Sequence, residues 1–178
     1  MSEVIQVINP ASGWIQNCNS TPFTVSGPSS PLREKYPAYM APDFENPRGI
    51  HAVKVLSGDN KLDINTLVSS TYDPWLPGMQ DLVPSLTAAY DALALTNDTL
   101  RTIYAQPVQM LKGWDYRFST QSIPMTLAIT TARMLRRDVT GREPKGIPAI
   151  LTYLKEGTSP TERVKALAEA VADLKKDF

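Results

Sequence analysis

The chain has 178 residues, which suffices for one domain of ordinary size and is short for two. Eighteen Lys and Arg residues balance eighteen Asp and Glu residues, so the net charge of zero argues against a nucleic-acid-binding protein. The single cysteine, Cys18, and the single histidine, His51, exclude an internal disulfide and leave too few ligands for a Cys/His zinc site. Residues 1–20 show no signal-peptide pattern, and no apolar run approaches the roughly 18 residues of a membrane helix. We therefore expect neither nucleic acid nor a membrane as a partner.

The N-terminal part of the sequence favours β structure followed by a loop. Two short β-prone runs at residues 4–8 and 14–18 flank a turn sequence at residues 9–13, which predicts a β hairpin. Seven of the fifteen prolines lie in the first 50 residues, and proline both fixes φ and removes a hydrogen-bond donor. Residues 21–45 are therefore predicted to be a proline-rich loop. A lone hairpin is marginally stable in water, so this one is expected to belong to a sheet.

Helical periodicity begins at Asn46, which can cap a helix whose first residue is Pro47. Four further helices are predicted to start near Asp63, Gly78, Asn97 or Asp98, and Ser119. The last helix begins with the capping box Ser159-Pro160-Thr161-Glu162. The sequence thus predicts a mainly α fold with a small N-terminal β hairpin. Its parts are the hairpin at 1–20, the loop at 21–45 and a helical domain at 46–178.

The most distinctive segment, residues 9–22, reads Asn-Pro-Ala-Ser-Gly-Trp-Ile-Gln-Asn-Cys-Asn-Ser-Thr-Pro. On a strand, Asn17 and Asn19 would point the same way. A carboxamide NH2 can donate to the oxyanion that develops during acyl transfer. Alternatively, both are loop asparagines that hydrogen-bond their own backbone. The residue types alone leave both interpretations open.

Further motifs follow that segment in order along the chain. They are Tyr-Pro-Ala-Tyr-Met at 36–40, Asn-Pro-Arg-Gly at 46–49, Tyr-Asp-Pro at 72–74 and Leu-Lys-Gly-Trp-Asp at 111–115. Together they resemble the β-subunit of the penicillin acylase family of N-terminal-nucleophile (Ntn) amidohydrolases, in particular the branch with acyl-homoserine-lactone and aculeacin-type acylases. The resemblance spans most of the chain. It implies a helical segment of an αββα Ntn-hydrolase fold and hydrolysis of linear amides.

The resemblance also assigns individual residues. It implies that Asn19 is the oxyanion-hole carboxamide and that Arg48 lies near the active site and supports that region. A positive charge at a helix start opposes the helix dipole, so Arg48 needs another reason to be there. The alternative for Arg48 is an ordinary surface arginine after proline. The family's calcium-binding aspartate, shortly after Tyr-Pro-Ala, is replaced at about that place by Met40, so we expect no cofactor or metal in this segment.

The family's nucleophile is an N-terminal serine that opens a Ser-Asn-x-Trp-like segment, and this sequence has none. Ser2 is followed by Glu3-Val4, unlike that motif. We therefore expect an interior fragment of an acylase that is inactive alone and whose partners are the α-subunit and the remainder of the β-subunit. An unpaired hairpin edge also predicts self-association through residues 3–18.

The resemblance leaves the substrate open among linear amides. The candidates are the acyl side chain of a β-lactam, an N-acyl-homoserine lactone and a lipopeptide, which would connect the protein with antibiotic metabolism or quorum quenching. Family habit implies a periplasmic or secreted location. The alternative is a stand-alone helical interaction or scaffold domain without catalysis. Among the other candidates, Cys18 is expected to pack, His51 to lie at the surface or boundary of its helix, and Trp114 to belong to the core.

Overall fold

The computed structural model describes residues 3–58 and 62–177. The chain divides into two compact units, Met1–Asp73 and Pro74–Phe178. Both units contain α-helices, which confirms the prediction of a mainly α fold. The helical domain predicted to start at residue 46 stays a prediction, and in the structure residue 46 is the cap of the first helix.

No helix in the described part of the chain combines the length and the hydropathy that crossing a membrane requires.

In its described residues, 3–58 and 62–73, the first unit consists of turns followed by two helices. Three 3-10 turns precede the helices, at Pro22–Thr24, Gly27–Ser29 and Arg33–Lys35. Helix α1 spans Pro47–Leu56 and helix α2 spans Ile64–Thr71. The predicted starts of both helices are confirmed, because Asn46 and Asp63 are the N-cap residues and accept backbone N–H bonds through their side chains.

The predicted N-terminal hairpin is wrong, since residues 3–58 contain no β-strand. The carbonyl oxygen of Trp14 accepts a hydrogen bond from Ser26 Oγ at 2.6 Å, and the N–H of Gln16 donates to the carbonyl oxygen of Val25 at 2.8 Å. A serine hydroxyl and a backbone carbonyl of the proline-rich loop thus take backbone groups that a strand partner would have used. The assignment of the first twenty residues to an Ntn sheet depended on that hairpin.

The second unit is a bundle of helices around an apolar core. Its helices are α3 (Pro77–Ala94), α4 (Asp98–Lys112), α5 (Ile123–Asp138), α6 (Ile147–Thr152) and α7 (Pro160–Asp177), with one π-helical turn, Tyr153–Gly157, after α6. Helices α3, α4, α5 and α7 pack against one another. The most deeply buried leucines of this core are Leu82, Leu86, Leu111, Leu135 and Leu167.

The capping box at the start of α7 is confirmed. The backbone N–H of Ser159 donates to Glu162 Oε2 at 2.8 Å, and the N–H of Glu162 donates to Ser159 Oγ at 3.2 Å. The predicted start of α4 is confirmed as well, since Asn97 Oδ1 accepts from the N–H of Leu100 at 3.0 Å. Both signals use partners three residues away and depend on nothing distant in the sequence.

The predicted cap of α5 is wrong by three residues. Ser122 is the N-cap, and its Oγ accepts from the N–H of Met125. Ser119 Oγ accepts instead from the N–H of Gln121, within the preceding turn. Two serines compete for this helix start, and Pro124, which suits the first turn of a helix, selects the nearer one.

Candidate functional site

Asn19 lies in a bend of the first unit with a left-handed φ of 54°. Asparagine reaches this region more readily than most residues other than glycine. The backbone N–H of Asn19 donates to Asn17 Oδ1 at 2.9 Å, and its carbonyl oxygen accepts from Asn46 Nδ2 at 3.1 Å. The side chain of Asn17 therefore bonds to its own loop, as the simpler interpretation of the two asparagines predicted for both.

The side chain of Asn19 has a different environment. Its Oδ1 accepts a long hydrogen bond from Arg48 Nη2 at 3.4 Å. A guanidinium has donors only, so this contact identifies which end of the carboxamide is the oxygen. The side chain is exposed, and its Nδ2 donates to none of the residues that the structure describes. The NH2 group thus belongs to an exposed side chain and has no acceptor among the described residues.

Arg48 is the second residue of α1, and its exposed side chain bends towards the Asn19 loop. Its backbone N–H donates to Asn46 Oδ1 at 3.0 Å. This bond fixes the main chain of Arg48 at the point from which its side chain reaches Asn19. The contact with Asn19 Oδ1 gives this cation a partner at a helix end that disfavours positive charge. The structure therefore brings together the two predicted site residues, which are 29 positions apart.

Two further residues, Gly49 and Ser20, to which the sequence analysis gave no role, lie close together in this region. Gly49 is buried, and a Cβ added there would lie 2.7 Å from Ser20 Oγ. The loop after Asn19 and the first turn of α1 therefore approach closely, and a Cβ at position 49 would displace the side chains of Glu45 and Ser20. Glycine destabilises a helix, so its presence in the Asn-Pro-Arg-Gly motif indicates that another part of the chain packs closely against the helix there.

A groove of about 380 Å³ lies between α1 and α2 beside Arg48. Its walls are mostly apolar and comprise Ala52, Val55, Leu56 and Leu67. This volume lies in the range of small-molecule sites. Cys18 is half-buried and lines the groove as well.

Two of the remaining candidates have structural roles. His51 is half-buried, with its Nε2 3.0 Å from Asp73 Oδ1, which confirms it as a boundary residue of α1. Trp114 is 6% exposed in the core of the second unit, and its Nε1 donates to the carbonyl oxygen of Arg117 at 3.0 Å. The prediction that Trp114 is a core residue is confirmed.

The turn at residues 36–40 does not fit a calcium ion. Met40 offers a thioether where calcium prefers an oxygen ligand. The guanidinium of Arg33 donates to the carbonyl oxygens of Pro37 at 3.2 Å, Ala38 at 2.7 Å and Met40 at 3.0 Å. These carbonyl oxygens already face a cation that belongs to the chain itself.

Comparison with known proteins bears on the family of the chain. A family model described as penicillin amidase matches residues 1–178, the full sequence. A search of curated proteins finds no match. A family match over every residue is decisive, and the chain belongs to the penicillin amidase family, whose members are amidohydrolases.

Proposed function

We propose that this chain supplies the oxyanion-hole donor of an acylase that hydrolyses linear amides, and that the donor is the side-chain NH2 of Asn19. The observation that carries the proposal is the state of this carboxamide. Its oxygen accepts from Arg48, whereas its nitrogen donates to no described residue and belongs to an exposed side chain. A donor aimed in advance at the tetrahedral oxyanion typically contributes about 2.7–4 kcal/mol to the stability of the transition state.

Arg48 has a supporting role in this proposal. A free carboxamide can rotate and present either its oxygen or its nitrogen to the substrate. Arg48 Nη2 attracts the oxygen of Asn19, which leaves the nitrogen for the reacting carbonyl. Its positive charge also favours the electron density that moves to the carbonyl oxygen as the nucleophile attacks.

The attacking group is proposed to come from residues outside this sequence, so that the α-subunit and the remainder of the β-subunit are the partners of the chain. Ser2, the serine closest to the N-terminus, lies outside the described residues, and its sequence context is unlike the family motif. Alone, the chain is expected to release no product from an acyl amide. Turnover by the chain that Ser2→Ala abolishes would contradict this part of the proposal.

The proposed substrates are the acyl side chain of a β-lactam, an N-acyl-homoserine lactone and the acyl group of a lipopeptide. The sequence motifs of the chain resemble the branch with acyl-homoserine-lactone and aculeacin-type acylases. Such activities belong to antibiotic metabolism and quorum quenching, and family analogy favours the periplasm or the exterior of the cell. The groove beside Arg48 is large enough for a small acyl or leaving group.

The test uses the acylase assembled from this chain and the segment that carries the nucleophile. Asn19→Asp keeps the acceptor for Arg48 and removes the NH2 donor. On a series of N-acyl p-nitroanilides from acetyl to decanoyl, we expect kcat to fall about 100- to 1000-fold with little change in KM. The matched control is Asn9→Asp, because Asn9 is also exposed and left-handed, with a φ of 46°. A wild-type kcat for Asn19→Asp contradicts the proposal.

A second candidate is a helical interaction or scaffold protein without catalysis. The specific observation in its favour is the exposure of three apolar side chains near the N-terminus, Val4 at 51%, Ile8 at 79% and Ile15 at 53%. We propose residues 3–18 as a self-association surface on this basis. Sedimentation of the chain and of a Val4→Ser/Ile8→Ser variant distinguishes an oligomer from a monomer. A wild-type monomer at high concentration contradicts self-association.

A further inference from the structure

We infer that Asn46 is a positioning residue that holds Asn19 and Arg48 in register, an inference that rests on the proposed role of Asn19. Asn46 is buried, with 9% of its surface exposed. Its Nδ2 donates to the carbonyl oxygens of Cys18 and Asn19, both at 3.1 Å. Its Oδ1 accepts from the backbone N–H groups of Arg48 and Gly49, both at 3.0 Å. One side chain thus joins the Asn19 loop to the start of α1.

A helix cap alone does not require an asparagine at this position. Ser, Thr and Asp cap helices about as well, because capping uses only an acceptor oxygen. A carboxamide has two N–H donors and two acceptor lone pairs, and Asn46 uses all four. Asn97 provides an internal comparison, since among the described residues its side chain makes one bond, to the N–H of Leu100. The NH2 of Asn46 therefore has a role beyond capping.

That role is to fix the backbone of Asn19. A left-handed residue other than glycine is strained and keeps its conformation only when its surroundings enforce it. The N–H of Asn19 is held by Asn17 Oδ1 and its carbonyl oxygen by Asn46 Nδ2, so both polar groups of its main chain bond to neighbouring asparagines. This backbone fixes the direction of the Cα–Cβ bond of Asn19, and the contact with Arg48 orients the carboxamide beyond it.

Asn46 also fixes the residue that orients the donor. Its Oδ1 holds the main chain of Arg48, whose guanidinium reaches Asn19 Oδ1. Gly49, whose N–H Asn46 also holds, lies close to the side chain of Ser20 in the same loop. Removing the NH2 of Asn46 would remove both of its bonds to the carbonyl oxygens of Cys18 and Asn19 and so release the loop from α1.

The activity test uses two substitutions in the assembled acylase. Asn46→Ser keeps a capping oxygen and removes the NH2, and Asn46→Asp removes it while placing a carboxylate against two carbonyl oxygens. We expect kcat to fall up to about 100-fold for either variant, because a displacement of about 1 Å has effects of that size, with KM within about twofold of wild type. Asn97→Asp, which changes a cap without a second role, is the matched control and leaves kcat unchanged.

Coupling to Asn19 separates positioning from a general structural role. In the Asn19→Asp background, Asn46→Ser is expected to cause no further loss of kcat, since there is no donor left to position. Losses that multiply instead overturn the inference. If Asn19→Asp keeps the wild-type rate, the proposed function fails. If Asn19→Asp loses rate and Asn46→Ser does not, the inference alone fails.

A measurement on the chain itself needs no activity. In NMR exchange experiments, the side-chain NH2 protons of Asn46 are expected to exchange slowly with solvent because they are buried and bonded. Those of Asn19 are expected to exchange at the rate of a free amide. The amide protons of α1 should remain protected in Asn46→Ser, which shows that the helix still forms. Fast exchange of the Asn46 NH2 in the wild-type chain overturns the inference without any variant.

Discussion

The guanidinium of Arg33 is a fixed cation at the turn where the family resemblance raised the question of calcium. Besides its three carbonyl acceptors, it lies over the ring of Phe23 with its central carbon 4.7 Å from the ring centroid. Carbonyl oxygens are the ligands that calcium prefers, and an aromatic face also attracts positive charge. The turn therefore has the acceptors of a cation site, with the charge supplied by a side chain.

Arg33→Met is expected to lower the free energy of local opening of the turn at residues 36–40 by about 1.5–3 kcal/mol, the usual value of a hydrogen bond that involves a charged group. Added calcium should not restore it, because Met40 provides no further oxygen ligand. Arg33→Lys replaces the planar guanidinium with a single ammonium group, so its stability should lie between that of the wild type and that of Arg33→Met. Hydrogen exchange at the Met40 amide, which bonds to Pro37 at 3.0 Å, measures the effect. Loss of protection on adding EDTA to the wild type would contradict the prediction.

At the scale of elements, the N-terminus of α7 contains Glu162, which has the most strongly shifted pKa among the described carboxylates. Glu162 accepts from the N–H and the hydroxyl of Ser159, both at 2.8 Å, and from Arg142 at 2.7 Å. These contacts, the Ser159 backbone bond first, lower the pKa of Glu162 from 4.5 to about 2. A folded-state pKa below the unfolded value means that the carboxylate stabilises the fold while it is ionised.

The stability from Glu162 is therefore fully present above pH 4.5 and is lost as the pH falls from 4.5 towards 2. Glu162→Gln keeps an oxygen for the capping box and cannot titrate, so its unfolding free energy should depend less on pH in this window. Denaturant titrations at several pH values in this window measure the difference. Glu156→Gln is the control, because Glu156 pairs with Lys155 outside this cap. Equal slopes for Glu162→Gln and wild type would contradict the assignment.

Caps and turns explain which elements could be predicted from the sequence. Asn46, Asp63, Asn97 and Ser159 cap helices through partners two or three residues away, so a short window contains the whole signal. The hairpin failed because the main chain at Trp14 bonds to a serine 12 residues later, and β-prone residues cannot reveal such a partner. A run of β-prone residues indicates where the chain tolerates an extended conformation, but it does not indicate which segment forms hydrogen bonds with that run.

The same reasoning applies to the candidate site. Asn19 and Arg48 could be named from motifs, and the N-cap role of Asn46 from its position before a proline. The bond between Asn19 and Arg48 spans 29 residues, and the bonds from Asn46 to the Asn19 loop span 27 and 28. Such contacts depend on the folded path of the chain, so only the structure could show that Asn46 uses both ends of its carboxamide.

At the scale of the whole molecule, the two units bury different kinds of residue. Within the described residues, every buried large hydrophobic side chain lies in the second unit, between Leu82 and Val171. The first unit buries polar side chains instead, namely Gln16, Ser26 and Asn46. Its Gln16 carboxamide is buried without a partner among the described residues, which costs stability. Hydrophobic burial is the main favourable contribution to folding, so the stability of the two units should differ strongly.

Expressed alone, residues 74–178 are therefore expected to unfold cooperatively, whereas residues 1–73 alone should show no cooperative transition. Circular dichroism on heating, with hydrogen exchange in α3 and α7, measures both. Leu86→Ala in the second unit should lower its free energy of unfolding by about 2–5 kcal/mol, because Leu86 is fully buried in that core. Leu95→Ala, at an 80% exposed leucine, is the control and should change little. A gradual, probe-dependent melt of residues 74–178 would show that this core is insufficient by itself.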